Sequence, residues 1–216
     1  MSADAQHILT AFLGPEAARS TMLEPILGGE SSASLYQFDH DSLTYVLRLL
    51  APKSPRSRHH HEVSLTRAAG VVGVGPRVHF VAADESAIIY EYTHGQTLTL
   101  DNTREAPVLV RLAQQLGRLH HSRAEVPAAT SPFERFYGFR QRSIEGKRLW
   151  PEVMARAAEF VTRLDSEWQQ PVNRPCHLDL HARNIILTST RDPVMIDWVN
   201  GGMSDPAFDL ATLIVF

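Results

Sequence analysis

The sequence has very little cysteine and no long apolar segment. Cys176 is the only cysteine in the 216 residues, which excludes an intrachain disulfide and a metal site built from several thiolates. No apolar run approaches the roughly 20 residues that a membrane-spanning helix requires. The first residues, MSADAQHILTAF, lack the basic start and apolar core of a signal peptide. These absences predict a cytoplasmic protein without a membrane partner.

An excess of positive charge is also absent. The formal net charge is −3 at pH 7, which argues against a nucleic-acid partner bound through a broad basic face. Hydrophobic residues make up 44% of the chain, enough to form a core and to exclude general disorder. The length suffices for one large domain or two small lobes.

The most informative segment runs from residue 176 to residue 209. It contains His177-x-Asp179-x-x-x-x-Asn184, and Asp197 follows after two short apolar runs. Phosphoryl transfer from a nucleotide requires a carboxylate that orients the attacking hydroxyl, and oxygen ligands that hold a divalent ion. Asp179 suits the first role. Asn184 and Asp197 suit the second, because Mg²⁺ prefers hard oxygen donors.

The two apolar runs between Asn184 and Asp197 predict short strands joined by a turn at residues 189–193. A hairpin of this kind would bring Asp197 back beside Asn184. The alternative is that the aspartates of this segment are solvated loop acids. The agreement of several roles at once favours the catalytic interpretation.

This motif set resembles the signature of the aminoglycoside phosphotransferase and choline kinase family. The similar residues are HLDLH at 177–181, Asn184 and Ile196-Asp197-Trp198, and residues 205–211 resemble the segment that follows in that family. The resemblance implies a two-lobed, protein-kinase-like α+β fold. An N-terminal lobe with an antiparallel sheet and a helix would cover residues 1–93. A mainly helical lobe with the catalytic hairpin would cover residues 94–216.

The resemblance also implies ATP or GTP and Mg²⁺ as cofactors, and a hydroxyl of a small molecule such as an aminoglycoside or amino-alcohol as acceptor. The competing hypothesis is a non-catalytic, nucleotide-binding or scaffolding protein with a kinase fold. A protein Ser/Thr kinase is disfavoured, because Asp197-Trp198-Val199 stands where D-F-G would be expected.

In the predicted N-terminal lobe, Gly28, Gly29, Ser31 and Ser32 form a turn that could cover nucleotide phosphates. The alternative is an ordinary hairpin turn. Arg48 interrupts an apolar strand and could reach the phosphates, and the resembled family often carries Arg at this position. Its natural partner is Glu62 on the following helix; the alternative is an exposed ion pair of little value.

Residues Glu91, Tyr92 and Thr93 are predicted to form a hinge whose backbone groups pair with adenine, the alternative being a plain strand that ends at Gly95. The three histidines at 59–61 point in different directions on a helix and are poor joint metal ligands. We interpret them as a solvated helix entrance. Residues 127–139 predict a loop with an aromatic cluster. His177 is expected to brace the catalytic loop, and Asp209 to tie it down.

The chain ends in DLATLIVF, an apolar run without a polar turn. Because folded domains rarely leave such a face bare, we expect a shortened relative of the family. Its last helix would be partly exposed or covered by a second copy in a homo-oligomer. The remaining secondary-structure predictions are helices at residues 2–13, 62–69, from about 103, and around 153–168, and strands at 23–27, 35–38, 45–50, 78–81 and 88–92.

Overall fold

The computed structural model describes residues 3–27, 33–146, 151–168 and 172–215. Seven α-helices lie in these ranges: α1 Ala3–Leu13, α2 Pro15–Ser20, α3 Arg56–Val72, α4 Ala106–His120, α5 Pro132–Glu145, α6 Pro151–Glu167 and α7 Ala207–Val215. The strands in the same ranges are β1 Glu24–Pro25, β2 Ser34–His40, β3 Leu43–Leu49, β4 Val78–Val81, β5 Ala87–Glu91, β6 Gln96–Thr97, β7 Arg174–Cys176, β8 Ile185–Leu187, β9 Pro193–Met195 and β10 Gly202–Ser204.

The N-terminal part forms a five-stranded antiparallel sheet in the order β1-β2-β3-β5-β4. The two faces of the sheet bury different side chains, because neighbouring residues of a strand point to opposite sides. Leu47 and Ile89 pack with α1 on one face, whereas Ile88 packs with Val63 of α3 on the other. Arg48 is the cross-strand partner of Ile88, so Arg48 faces α3. Four predicted strands are confirmed, and the predicted strand at 23–27 shortens to β1.

Helix α3 begins at Arg56, several residues before the predicted start near Glu62. Pro55 precedes its first turn, where a missing N–H is tolerated. The helix ends at Val72, and the next residue, Gly73, has a left-handed backbone with φ 78°, a conformation in which glycine carries no side-chain penalty. The early start places all three histidines inside the helix and beside three different partners.

The interpretation of these histidines as solvated is therefore wrong for His59, which is buried and bonds the Ala51 carbonyl through Nε2 at 3.0 Å. His60 lies 2.9 Å from a carboxylate oxygen of Glu85. His61 bonds the carbonyl of Gly201 at 2.9 Å. The prediction that they do not share a ligand is consistent with these separate directions.

The C-terminal part is built on α4, whose buried Leu112, Leu116 and Leu119 recur at helical spacing. They pack with the hairpin strands β8 and β9 and with Trp198. The hairpin forms a three-stranded sheet with β6, in the order β6-β8-β9. Gly95 leads into β6, and an added Cβ there would collide with the carbonyl oxygen of Leu187. A glycine at this position therefore allows the chain leaving the first sheet to approach the hairpin.

The predicted loop at 127–139 is wrong, because α5 begins at Pro132 within it. Ser131 caps this helix by accepting a hydrogen bond from the N–H of Phe133 at 3.2 Å. Serine at the cap followed by proline at the first position is a strong helix-start signal. The aromatic residues of this segment therefore lie on a helix.

The last helix is partly exposed, as expected. Leu210 and Ile214 on α7 are 49% and 84% exposed, whereas Leu213 packs against the C-terminal core. Within the described ranges, no helix combines the length and the apolar character needed to cross a membrane.

Candidate active site

Arg48 connects the sheet, helix α3 and the segment after the hairpin. Its Nε donates to Glu62 Oε1 at 2.5 Å, and its Nη2 donates to Asp197 Oδ1 at 3.3 Å. Both Arg48 and Glu62 are 7% exposed, so the alternative of an exposed ion pair is wrong. Burial acts to lower the pKa of Arg48, but the charges of Glu62 and Asp197 outweigh it and leave the pKa raised.

Tyr90 lies beside Arg48 on the neighbouring strand and lines the same cleft. Burial of its phenol, with the carboxylates of Asp197 and Glu62 nearby, raises its pKa to about 12. The hydroxyl is therefore protonated at neutral pH. Arg48 is the cation that holds the carboxylates together at this place.

The loop that carries Asp179 is anchored by a buried carboxylate. Asp209 is fully buried and accepts hydrogen bonds from the backbone N–H groups of His177 at 3.0 Å and of Leu178 at 2.7 Å. It also bonds His120 Nε2 at 2.8 Å. The expectation that Asp209 ties the loop down agrees with these contacts, and His120, to which the sequence assigned no chemistry, supports the anchor.

Leu178 has a left-handed backbone with φ 60°. This is uncommon for a branched apolar residue and costs about 1–3 kcal/mol. The structure holds it from both sides: Asp209 accepts from its N–H, and Arg135 Nη1 of α5 donates to its carbonyl at 3.1 Å. The strain lies one residue before Asp179, so these contacts determine where the Asp179 carboxylate points.

The ring of His177 is fully buried and contacts one residue before the β8–β9 hairpin and one residue after it. Nε2 bonds the carbonyl of Ile196 at 2.8 Å, and Nδ1 accepts from the N–H of Asp179 at 3.3 Å. Only a neutral imidazole can donate through one nitrogen and accept through the other. Burial also lowers the pKa of His177. His177 is thus a brace, in agreement with the sequence interpretation.

Two amides orient the loop around Asp179. Asn200 Nδ2 donates to the Asp179 carboxylate oxygen Oδ2 at 2.9 Å. Asn184 Nδ2 donates to the backbone carbonyl of Asp179 at 2.9 Å. Because the nitrogen of Asn184 is used in this way, its oxygen Oδ1 is the atom available to a cation. His181 Nε2 lies 3.9 Å from the other Asp179 oxygen.

The predicted hairpin is present. Ile185 pairs with Met195, and the N–H of Ile196 donates to the carbonyl of Asn184 at 2.9 Å. The next residue, Asp197, is left-handed with φ 60°, a conformation that aspartate tolerates better than most residues. The hairpin and this turn bring Asp197 back to Asn184. A carboxylate and an amide oxygen suit a hard divalent cation such as Mg²⁺.

A cleft of about 790 Å³ contains most of the predicted site residues. Those that line it are Arg48, Glu62, Tyr92, Thr93, Asp179, Asn184 and Asp197. Apolar side chains of both parts of the chain complete the lining, namely Leu35 and Val46 of the sheet and Ile186 and Ile196 of the hairpin. Such a slot suits a flat aromatic base.

The side chain of Glu91 is not part of this lining and lies 3.5 Å from His79 Nε2. The N–H groups of Glu91 and Tyr92 donate to the carbonyls of Arg77 and Thr44 within the sheet. In the described segment from Glu91 to Thr93, the N–H group of Thr93 is therefore the first that lacks a backbone acceptor. The prediction that hinge backbone groups pair with adenine is therefore restricted to the backbone from Thr93 onwards. Ser31 and Ser32, predicted to cover the phosphates, lie outside the described residues.

A second group of ligand-type side chains, His120, Cys176 and Asp209, has its potential ligand atoms within 4.8 Å of one another. The Asp209 oxygens already accept three hydrogen bonds from the loop and His120. Burial raises the pKa of the Cys176 thiol, which keeps it protonated. In the structure, the contacts of this group stabilise the loop.

Sequence reasoning missed Asn200 and Arg135. The sequence does contain an indication for Asn200, because this residue lies three positions after Asp197 on the same short segment. Arg135 has no such signal, because it lies on the helix that the sequence interpretation took for a loop.

Comparison with known proteins identifies the family. Residues 23–216 match the model of the phosphotransferase enzyme family. The chain belongs to this family. The resemblance stated from the motifs is thereby confirmed.

Among the relatives of this chain, Protein LicA of Haemophilus influenzae is 28% identical over 124 residues, which cover 56% of this chain and 46% of that protein. The matched part is thus less than half of LicA. A choline/ethanolamine kinase family protein from Mesorhizobium loti is 21% identical, with a TM-score of 0.74 over 98% of this chain and 69% of that chain. APH(2″)-IIa, solved as a ternary complex with streptomycin and ATP, is 17% identical, with a TM-score of 0.65 over 97% and 74% of the two chains. These likenesses confirm the kinase-like α+β fold.

Proposed function

We propose that this protein transfers the terminal phosphate of ATP or GTP to a hydroxyl group of a small molecule, with Mg²⁺ as cofactor. Residues 1–93 would form the nucleotide-binding lobe and residues 94–216 the catalytic lobe. The observation that carries the proposal is the convergence of Asp179, Asn184 and Asp197 with the Arg48–Glu62 pair in one cleft.

The divalent cation would be held by Asn184 through Oδ1 and by Asp197. When bound, Mg²⁺ neutralises the charge of the phosphate oxygens. The orientation of Asn184 supports this role, because the bond from its Nδ2 to the Asp179 carbonyl turns Oδ1 away from that carbonyl. Asp197 contacts Arg48 at 3.3 Å, so the cation and the guanidinium would share the same anionic surroundings.

Arg48 would bind nucleotide phosphates while Glu62 fixes its position. A guanidinium has five N–H donors in a planar fork, and the contacts with Glu62 and Asp197 use one nitrogen each. The base would lie between Val46 and Ile186 and pair with the backbone from Thr93.

Asp179 would orient the acceptor hydroxyl and receive its proton. The hydroxyl oxygen attacks the terminal phosphorus, a new O–P bond forms, and the bond from that phosphorus to the bridging oxygen breaks. The nucleoside diphosphate leaves with the electron pair. Asn200 holds one carboxylate oxygen, so the other oxygen is directed toward the acceptor.

The test is phosphotransfer from Mg-ATP or Mg-GTP to a panel that includes choline, ethanolamine and streptomycin, because choline/ethanolamine kinases and a streptomycin complex are among the similar structures. Asp179→Ala should lower kcat by about 10²–10⁴, with nucleotide affinity retained. The control is Asp192→Ala, because Asp192 is an exposed aspartate in the hairpin turn. Nucleotide binding without transfer to any acceptor would favour the scaffolding hypothesis. Unchanged turnover in Asp179→Ala would refute the assignment of the base.

A further inference from the structure

A second cavity of about 990 Å³ opens beside the candidate base. It lies among α3, α5, α7 and the segment that follows the hairpin. Asn200, Val199 and Arg58 line both this cavity and the nucleotide cleft. Asn200 also donates to the Asp179 carboxylate. The second cavity is therefore placed to present a bound molecule to Asp179.

The lining of this cavity carries more positive than negative charge. Arg58, Arg135 and Arg142 contribute guanidinium groups, and among the described residues Glu134 is the one carboxylate in the lining. In the described parts of the chain, none of the three arginines has a carboxylate within ion-pair distance. Unpaired guanidinium groups around a cavity attract carboxylate or phosphate groups, with which they form charge-assisted, often bidentate hydrogen bonds.

A glycine on α5 leaves space for the guanidinium of Arg142. Gly138 lies in the middle of α5, where glycine is less favourable than alanine. An added Cβ at Gly138 would lie 3.3 Å from Arg142 Nη1. The guanidinium thus folds back over the glycine, along the wall of the cavity. Arg135 is fixed as well, because its Nη1 donates to the carbonyl of Leu178.

The same cavity also contains three aromatic rings, those of Phe136, Phe139 and Phe208. Aromatic rings alone would suit a cation such as choline. A cation in this cavity would, however, face three guanidinium groups and, within the described part of the chain, a single carboxylate. The rings are compatible with stacking on a sugar or a carbon skeleton, so the charge decides between the two classes.

We propose that the acceptor is a hydroxyl compound that bears a carboxylate or a phosphate group, bound in this cavity by Arg58, Arg135 and Arg142. This inference rests on the proposed phosphotransferase function. The anionic group would bind to the arginines while a hydroxyl of the same molecule reaches Asp179. The transfer then proceeds as above, with the hydroxyl proton passing to Asp179 and the nucleoside diphosphate leaving.

The experiment compares acceptors of matched size and different charge on the full chain. Glycerate and glycerol 3-phosphate are the anions, glycerol is neutral, and choline is the cation. Product formation is followed by ³¹P NMR with Mg-ATP, and binding is measured separately by calorimetry without nucleotide. The anions should bind at least about tenfold more tightly than glycerol, as charge-assisted hydrogen bonds imply.

Arg142→Gln should raise the Kd and KM of the anionic acceptor by about 10- to 100-fold and affect glycerol much less. Arg142→Lys, which keeps the charge, should restore part of the loss. The control is Arg163→Gln on α6, because Arg163 is exposed, lies over Phe160 and is not in the lining. Circular dichroism on each variant verifies that it is folded.

The outcomes separate the two claims. Asp179-dependent transfer to choline or glycerol in preference to the anions overturns the inference and leaves the proposed function intact. Arg142-dependent binding of an anion without any phosphotransfer supports the anionic site but contradicts the function. Absence of anion binding, or binding that is insensitive to Arg142→Gln, overturns the inference regardless of activity.

Discussion

Replacing Asp209 should both destabilise the protein and displace its candidate base. Asp209→Ala leaves the N–H groups of His177 and Leu178 without their acceptor, and it removes the partner of His120. Each buried donor left unpaired costs about 1–3 kcal/mol. Water that enters the vacated space recovers part of this loss. We expect the free energy of unfolding to fall by about 3–5 kcal/mol, a large share of a typical 5–15 kcal/mol.

Asp209→Asn should have a smaller effect. Its oxygen can still accept from the backbone N–H groups of His177 and Leu178, as Oδ1 does here, but its NH₂ group replaces the oxygen Oδ2 that bonds His120. We expect a loss of about half that of the alanine variant. In Asp209→Ala, Leu178 loses one of the two contacts that hold its left-handed backbone, so kcat should fall by about 10- to 100-fold in the alanine variant.

Urea denaturation provides the measurement. Circular dichroism reports global unfolding, and tryptophan fluorescence includes a contribution from the site, because the Trp198 ring lies 4.5 Å from that of His177. Asp205→Ala is the matched control four residues earlier. Asp205 caps α7 by accepting from Ala207, and its loss should cost only about 1 kcal/mol. If Asp209→Ala costs no more than Asp205→Ala, the anchoring role of this carboxylate is refuted.

Three further predictions concern the site. Arg48→Ala leaves the buried carboxylate of Glu62 unpaired and should lower the free energy of unfolding, measured by urea denaturation, by about 3–5 kcal/mol. A decrease of less than about 1 kcal/mol would show that the pair is not structurally important. Asp197→Ala should abolish the dependence of nucleotide affinity on Mg²⁺, and calorimetry with unchanged dependence would remove Asp197 from the metal site. Because the pKa of His177 is lowered in the folded protein, the unfolded chain binds a proton at this histidine more strongly than the folded chain does. Protonation therefore does not reduce the free energy of unfolding above about pH 6.5, the ordinary histidine pKa. Stability should decline as pH falls below that value, and His177→Gln should flatten this part of the pH profile; an unchanged slope would contradict the burial argument.

The sequence predicted the hairpin and its polar residues well, since both depend on local spacing. Apolar runs on either side of a turn specify β8 and β9, and their pairing returns Asp197 to Asn184. The pairing of Arg48 with Glu62 was also predictable, since a lone cation in an apolar strand requires a partner. The error at α5 arose from reading an aromatic cluster as a loop, although Ser131 and Pro132 form a helix-start signal.

Local sequence thus determined which side chains form the candidate site and which short elements present them, because strand pairing and helix caps act over a few residues. Only the tertiary structure decided how those side chains are held. Asp209 accepts from residues about 30 positions earlier, and Arg48 contacts Asp197 from 149 positions away. The arginine-lined cavity arises likewise from the packing of α3 and α5 against the loop. Contacts of this kind depend on how distant elements come together, and no local pattern of residues encodes them.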